Sequence, residues 1–322
     1  MRISIIILTF NRANFLKNIL NCLSRQTIKP FEVIIIDNFS RDETKNVVFN
    51  FKKKLPIRYR LEKKKNLAEL RNVGIKLSRG DTVAFLDDDT EISKNWIKNL
   101  KDYFEKNKDV DIICGYLDKI KGNFLSEINH NITEATFIMA NKFGEISRIE
   151  DKIKVFLKTK ISEFFNSPVF FTGATTMVIR REVFRKIGLF DKKFAGAEEL
   201  DFQLRMLKNN VKMVCLPLKI RHHYKNTLPD ILRQYFFYGT YEYLSFLKHK
   251  KNKNLLKYLT SIKKSFLLMF SFPILVSIRY VILNKEKLKL QLILLLYIVT
   301  LLTRISFLLG AIYFYKKYIL NI

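Results

Sequence analysis

The chain of 322 residues is short of cysteine, tryptophan and acid: three cysteines, one tryptophan, and 30 acidic residues against 58 basic ones. Cys22, Cys114 and Cys215 are odd in number and far apart in sequence, and they form no C-x-x-C pair. That argues against a disulfide framework or a cysteine zinc site and points to a reducing compartment. No internal repeat is visible. No signal peptide is expected either. The apolar run Ile3–Leu8 meets Thr9-Phe10-Asn11-Arg12 at once and has no small-residue cleavage site, so the expectation is a structural strand in a chain that starts in the cytoplasm.

The scarcity of acid leaves a net charge of +28. Such an excess raises nucleic acid or a membrane surface as a partner. The lysines are scattered over the whole length, so no nucleic-acid partner is expected. From Asn226 onward there are 15 basic and 3 acidic residues, an imbalance that favours an anionic lipid surface. The overall composition, 48% hydrophobic and 27% charged, is that of a folded protein.

Apolar runs and helical periods alternate over the first part of the chain. Ile3–Leu8, Val33–Ile36, Ile57–Arg60, Thr82–Leu86 and Val110–Cys114 read as strands, most of them continuous and β-branched as for strands buried on both faces. Phe15–Leu23, Leu67–Leu77 and the segment with Trp96, Ile97 and Leu100 read as helices. Ser40-Arg41-Asp42-Glu43 reads as a capping box opening another, and Ser93 as the cap before Trp96. This order predicts an α/β fold, doubly wound, with a mostly parallel sheet and helices on both faces. Ligands then bind beyond the carboxyl ends of strands. Lys119–Asn166 reads as an insertion or variable loops with some helix. Val169–Arg180 and Val211–Leu216 read as further strands, Arg181–Ile187 and Glu198–Leu207 as helices.

Asp87-Asp88-Asp89 closes a strand. Two like charges ~4 Å apart repel by roughly 4 kcal/mol at an effective dielectric near 20. A hard divalent cation, Mg²⁺ or Mn²⁺, removes that cost and can also take phosphate oxygens. The bland alternative, a solvated acidic turn, loses weight because Val83–Leu86 is apolar throughout. Asp37, also at a strand end, is either a turn residue or an acceptor for a nucleobase or ribose. Asn66, Arg71 and Asn72 at a helix start suit a diphosphate or else form an exposed helix face. Among Glu198, Glu199 and Asp201 one acid is a candidate general base, although Asp201 and Arg205 also have the spacing of an i,i+4 ion pair. Of His222-His223, one is a candidate to complete a metal shell.

The ordered pattern resembles the family 2 glycosyltransferases, inverting enzymes of the GT-A fold. Ser4-Ile5-Ile6-Ile7-Leu8-Thr9-Phe10-Asn11-Arg12 is similar to that family's S-V-I-I-P-T-Y-N-R. Phe31–Ser40 is similar to F-E-I-I-V-V-D-D-G-S, and Asn66, Ala68, Arg71, Asn72 and Gly74 to N-x-G-x-A-x-A-R-N-x-G. Phe85–Asp89 falls on the D-x-D region, Thr172-Gly173-Ala174 on G-A-N, and Glu198–Arg205 on E-D-x-D-L-x-x-R. The resemblance covers about residues 3 to 240. It implies a nucleoside-diphosphate sugar donor, typically uridine-linked, and a glycan or lipid-linked acceptor in cell-surface polysaccharide synthesis. Thr9, Asn11, Arg12, Asp37, Asn66, Arg71, Asp87 and Asp88 are the implied donor-binding residues. Asp89, Asp87 and His222 are the implied metal ligands, with His223 the alternative to His222. Gly173, Ala174 and Trp96 are placed along the sugar pocket. Glu199 takes the base position, where the family has Asp, and Glu198 or Asp201 could serve instead. Asn38 replaces a second Asp, Phe39 a Gly, and Leu67 a Gly. These departures keep an inactive homologue or a nucleotide-sugar-binding protein as the alternative. A nucleotidyltransferase would need a Gly-rich loop after the first strand, and Thr9–Asn14 has no Gly.

The expected division is a catalytic domain over 1–225 and a basic, aromatic helical tail over 226–322. Apolar helices are expected at about 266–283 and 290–315. Seven lysines from Lys248 to Lys264 suit the cytoplasmic face of the cell membrane. Lys285, Lys287 and Lys289 would sit on the outer side of a hairpin, so interfacial helices fit better than spanning ones. A soluble helical cap is the alternative.

Overall fold

The structure, a computed structural model, describes residues 1–63, 66–142, 149–169, 172–249, 251, 262–283 and 290–319. It divides into two compact units. The first holds Met1–Ile120 and Phe164–His223, the second Lys121–Glu163 and Tyr224–Ile322. Of the stretch Lys119–Asn166, expected as an insertion or variable loops, Lys121–Glu163 therefore groups with the tail.

In the first unit the apolar runs become strands: β1 (Ile3–Thr9), β2 (Glu32–Asp37), β3 (Ile57–Leu61) and β4 (Thr82–Asp87). β1 pairs in parallel with β2 and β4, and β2 with β3. Between them lie α1 (Ala13–Ser24), α2 (Thr44–Phe51) and α3 (Leu67–Leu77). Leu16, Ile19, Leu20 and Leu23 of α1 are fully buried, as their helical spacing requires. Beyond β4 come β5 (Thr90–Ile92), α4 (Trp96–Lys106) and β6 (Ile112–Lys119). The chain returns to this unit in β7 (Ser167–Pro168) and β8 (Met177–Arg180), then α7 (Arg181–Ile187). The strand order is β3-β2-β1-β4-β8-β6-β9-β5, with β7 on β9. β9 (Met213–His222) runs parallel to β6, while β8 is antiparallel to both β4 and β6.

Several local expectations are corrected. No capping box forms at Ser40: α2 starts four residues later, and Asp42 accepts from the Thr44 N–H (3.1 Å). Ser93 caps nothing with its hydroxyl; its carbonyl accepts from Trp96 N–H and Gln26 Nε2. Trp96 is not in a pocket. It is 1% exposed, in one core with Ile97, Leu100 and Phe104, because α4 turns its apolar stripe to the sheet. Cys114 and Cys215, far apart in sequence, sit at paired positions of β6 and β9 as buried free thiols.

The second unit is helical: α5 (Phe124–Lys142), α6 (Ile149–Lys158), α9 (Leu228–His249), α10 (Ile262–Leu283) and α11 (Leu290–Ile319), whereas α8 (Glu198–Lys208) belongs to the first unit. Helices α9 and α11 cross on two glycines. A Cβ on Gly239 would fall 1.8 Å from the Phe307 carbonyl, and one on Gly310 1.9 Å from that of Phe236, so any larger residue forces the helices apart. Arg279 of α10 is buried. It donates to the carbonyls of Phe156 (2.8 Å) and Thr159 (2.7 Å) and pairs with Glu134 (2.8 Å), closing the end of α6. Among the described residues one helix, Ile293–Lys317, is long and apolar enough by length and composition to cross a membrane; Ser271–Leu283 is a shorter apolar stretch. Most of the lysine-rich stretch from Lys248 to Lys264, and Lys285, Lys287 and Lys289, lie outside the described residues.

Candidate active site

The acidic triplet begins on the last residue of β4 and turns straight into β5. Asp88 and Asp89 form the turn between the two strands and both reach Arg12, while Asp87 and Asp89 each offer an oxygen toward His222. Asp88 is 3% exposed and points inward, accepting from Thr9 Oγ1 (2.8 Å) and Arg12 Nη1 (2.7 Å). Burial and the neighbouring Asp89 push its carboxyl up to about 7, with Arg12 opposing. Asp88 and Thr9 thus support the site from behind rather than face a donor. Antiparallel pairing of β5 with β9 sets Thr90 opposite His222. One ligand atom each from Asp87, Asp89 and His222 then lie within 4.8 Å of one another.

This trio fits a cation. Asp89 Oδ1 is buried without a hydrogen bond, facing His222 Nε2 at 3.4 Å. Burial pushes the Asp89 carboxyl up, but His222 and Arg12 outweigh it and hold it well below the usual range. Two carboxylates and an imidazole suit Mn²⁺ or Mg²⁺. His223, the alternative ligand, turns away: its N–H donates to the Asp89 carbonyl and its ring packs edge-on against Phe15 at 5.0 Å.

Arg12, Asn11 and Asn66 have partners within the protein. Arg12 spans Asp88 and Asp89, with Nη2 2.8 Å from Asp89 Oδ2. Asn11, at φ 52°, accepts from the Arg41 N–H (2.7 Å) and ties the β1 loop to the β2 loop. Asn66 caps α3, accepting from the Ala68 N–H at 2.8 Å. Asp37 is 1% exposed; its two oxygens accept from the Ser40 N–H (2.8 Å) and the Tyr59 hydroxyl (2.6 Å). It thereby orders the loop that carries Phe39. Phe39 itself stands 48% exposed at φ 69°, a left-handed geometry that costs a bulky residue about 1–2 kcal/mol.

Helix α8 (Glu198–Lys208) separates the three candidate bases. Glu198 is buried and bound to Arg71 Nε at 2.6 Å. Asp201 is fully buried in an ion pair with Arg205 (3.0 Å), whose Nη2 also holds the Leu189 carbonyl (2.8 Å). Each of these two acids is engaged by an arginine, although Glu198 Oε2 has no hydrogen-bond partner of its own. Glu199 remains, half-buried at the start of α8. Burial and Glu198 push its carboxyl up to about 8, and Asp87 is near enough to add to the shift. A carboxylate so placed is a stronger base than an exposed one.

Gly173 and Thr175 belong to the turn facing these acids. A Cβ on Gly173 would meet nothing closer than 4.0 Å, so the turn leaves open space there; the side chain of Ala174 is outside the described residues. Thr175, which the sequence reading passed over, donates its hydroxyl to Asp87 Oδ2. Its signal was its place after Gly173-Ala174, where the motif has Asn. Tyr59 and Gln203, the latter holding the Thr172 carbonyl, had no comparable signal.

Comparison with known proteins gives the family. Residues 4–188 match the profile of Glycosyl transferase family 2. The chain is 29% identical over 221 residues to the chondroitin synthase of Escherichia coli, covering 64% of this chain and 32% of that protein. It is 26% identical to the O-antigen chain rhamnosyltransferase RfbN of Salmonella typhimurium, covering 75% and 72%. It spans about a third or less of the length of the chondroitin and hyaluronan synthases it matches. Among solved structures, the mannosyltransferase of Pyrobaculum calidifontis in complex with GDP-Man and Mn²⁺ is similar at a TM-score of 0.63 and 14% identity, covering 98% of this chain and 88% of that one. Staphylococcus aureus TarS 1-349 in complex with UDP-GlcNAc is similar at 0.54 and 16%, covering 98% and 92%. At such identities these structures speak for the fold, which is GT-A-like, and the profile speaks for descent. With the profile covering more than half of its length, the chain belongs to glycosyl transferase family 2.

Proposed function

We propose that the chain is a metal-dependent, inverting glycosyltransferase that moves a sugar from a nucleoside-diphosphate sugar, uridine-linked, to a hydroxyl of a glycan or lipid-linked acceptor. The observation that carries this is the trio Asp87, Asp89 and His222 at the carboxyl end of the sheet, with Glu199 within electrostatic reach of Asp87. A divalent cation held there supplies positive charge against the diphosphate as it leaves. Glu199 takes the proton of the acceptor hydroxyl. The oxygen forms a bond to the anomeric carbon while the carbon–oxygen bond to the diphosphate breaks, and one in-line displacement inverts the configuration. Arg71 fixes Glu198, and with it the start of α8 that presents Glu199. The relatives that make polysaccharides, and the neighbours holding UDP-GlcNAc or GDP-Man, support the donor class. The test is incubation with a panel of uridine, guanosine and thymidine diphosphate sugars plus Mn²⁺. Slow hydrolysis of one uridine-linked donor, abolished by EDTA, is expected; hydrolysis unaffected by EDTA sinks the metal, and no turnover or binding of any donor sinks the reading.

For the second unit we propose attachment to the cytoplasmic face of the membrane by helices lying in the interface. Ile274, Ile278 and Ile282 form an exposed apolar stripe on α10, and Leu294, Ile298, Leu309 and Tyr313 are exposed on α11. Arg279, by contrast, is satisfied within the protein, so its charge does not oppose this placement. The intact protein is expected to sediment with anionic vesicles, and I278E/I282E to stay in solution; equal sedimentation of both contradicts the stripe as the contact.

A further inference from the structure

Arg12 makes an ion pair with two members of the acidic triplet. Its guanidinium reaches Asp88 Oδ1 at 2.7 Å and Asp89 Oδ2 at 2.8 Å. Both acids are buried, and the guanidinium lies 4.9 Å from the Phe15 ring, which His223 backs edge-on. The fork is therefore held from behind as well as by its two carboxylates. Asp89 is thus shared: Oδ2 belongs to Arg12, while Oδ1 faces His222 and the trio.

We propose that Arg12 is a positioning residue and built-in counter-cation, which keeps the Asp87/Asp89/His222 site weak for a divalent cation until a nucleoside diphosphate is bound. The inference rests on the reading of this site as one for a cation and a diphosphate. Its physical basis is charge balance. Three adjacent acids alone would attract a cation strongly. A fixed positive charge on the same carboxylate offsets that attraction, since like charges at such range repel. A diphosphate adds negative charge, which reverses the balance and makes the cation welcome. The two ligands then help each other, and by linkage each raises the affinity of the other by the same factor. A purely supporting role gives another outcome: without the fork Asp89 is free to turn, and cation affinity falls.

The experiment is Mn²⁺ titration of the intact protein by electron paramagnetic resonance, with and without UDP, on wild type, Arg12→Met and Arg12→Gln. Removal of the charge is expected to tighten Mn²⁺ binding in the absence of UDP by tenfold or more in both variants, and to shrink the effect of UDP on Mn²⁺ affinity by a similar factor. Gln retains hydrogen bonding without charge, so it also decides the matter if Met folds poorly. Unchanged or weaker Mn²⁺ binding in a folded Gln variant overturns the proposal. If wild type binds Mn²⁺ but UDP neither binds nor alters it, the diphosphate reading fails, and with it the coupling.

Discussion

Asp89→Asn is expected to lower transfer about a thousandfold or more while the protein remains folded. Asn keeps the shape of the side chain and removes its charge. Asp88 still holds Arg12 by its own ion pair (2.7 Å), but the charge that His222 and Arg12 stabilise is lost. The variant is therefore expected to melt below wild type at neutral pH, with an unchanged folded spectrum at the assay temperature. Function depends on what Asp89 Oδ1 faces. With His222 and Asp87 it makes a site for a cation, and the cation's charge matters most as the diphosphate departs. Losing about 4 kcal/mol of that stabilisation corresponds to three orders of magnitude in rate. Steady-state assay with circular dichroism on the same preparation checks both halves. Transfer above a tenth of wild type contradicts the cation role.

Glu199→Gln is expected to cost a hundredfold to ten-thousandfold, the usual range for loss of a general base. The pH dependence separates this from a packing effect. The Glu199 carboxyl, pushed up to about 8 by burial and by Glu198, works only when deprotonated. kcat/KM of wild type should therefore fall about tenfold per pH unit below about 8 and level off above it, and the Gln variant should lose that limb. Stability runs the other way. A carboxyl whose folded pKa is raised favours the protonated form, so its contribution is present below its unfolded value and lost as pH rises through about 8. The Gln variant, a neutral mimic, should melt above wild type at pH 9 and close to it at pH 4. A pH limb that survives the substitution places the base elsewhere.

The parts of the fold that local sequence determines were the parts it revealed. Ile3–Leu8, Val33–Ile36 and Val83–Leu86 are continuous and apolar because each is buried on both faces of the sheet, and each ends on its site residue. Pairing of distant short segments was not legible. β5 has three residues, too few for a period, yet its pairing with β9 carries His222 to Asp89. The direction of a side chain was equally hidden. The i,i+4 spacing already paired Asp201 with Arg205, but Arg71, 127 residues before Glu198, reaches that acid only in the folded chain. Arg12, read as a donor contact, finds its carboxylates 76 and 77 residues away. Trp96, placed along the sugar pocket, shares a helical stripe with Ile97 and Leu100 that marks it as core. Lys121–Glu163 shows no pattern of its own because its helices take their partners from the C-terminal third of the chain.

The most direct test follows UDP binding by calorimetry, in saturating Mn²⁺ and again in EDTA, for wild type and Asp89→Asn. Wild type should bind at least tenfold more tightly with Mn²⁺, and the variant should bind alike in both. Equal affinity of wild type in the two buffers would mean that Asp87, Asp89 and His222 do not join a cation to the diphosphate.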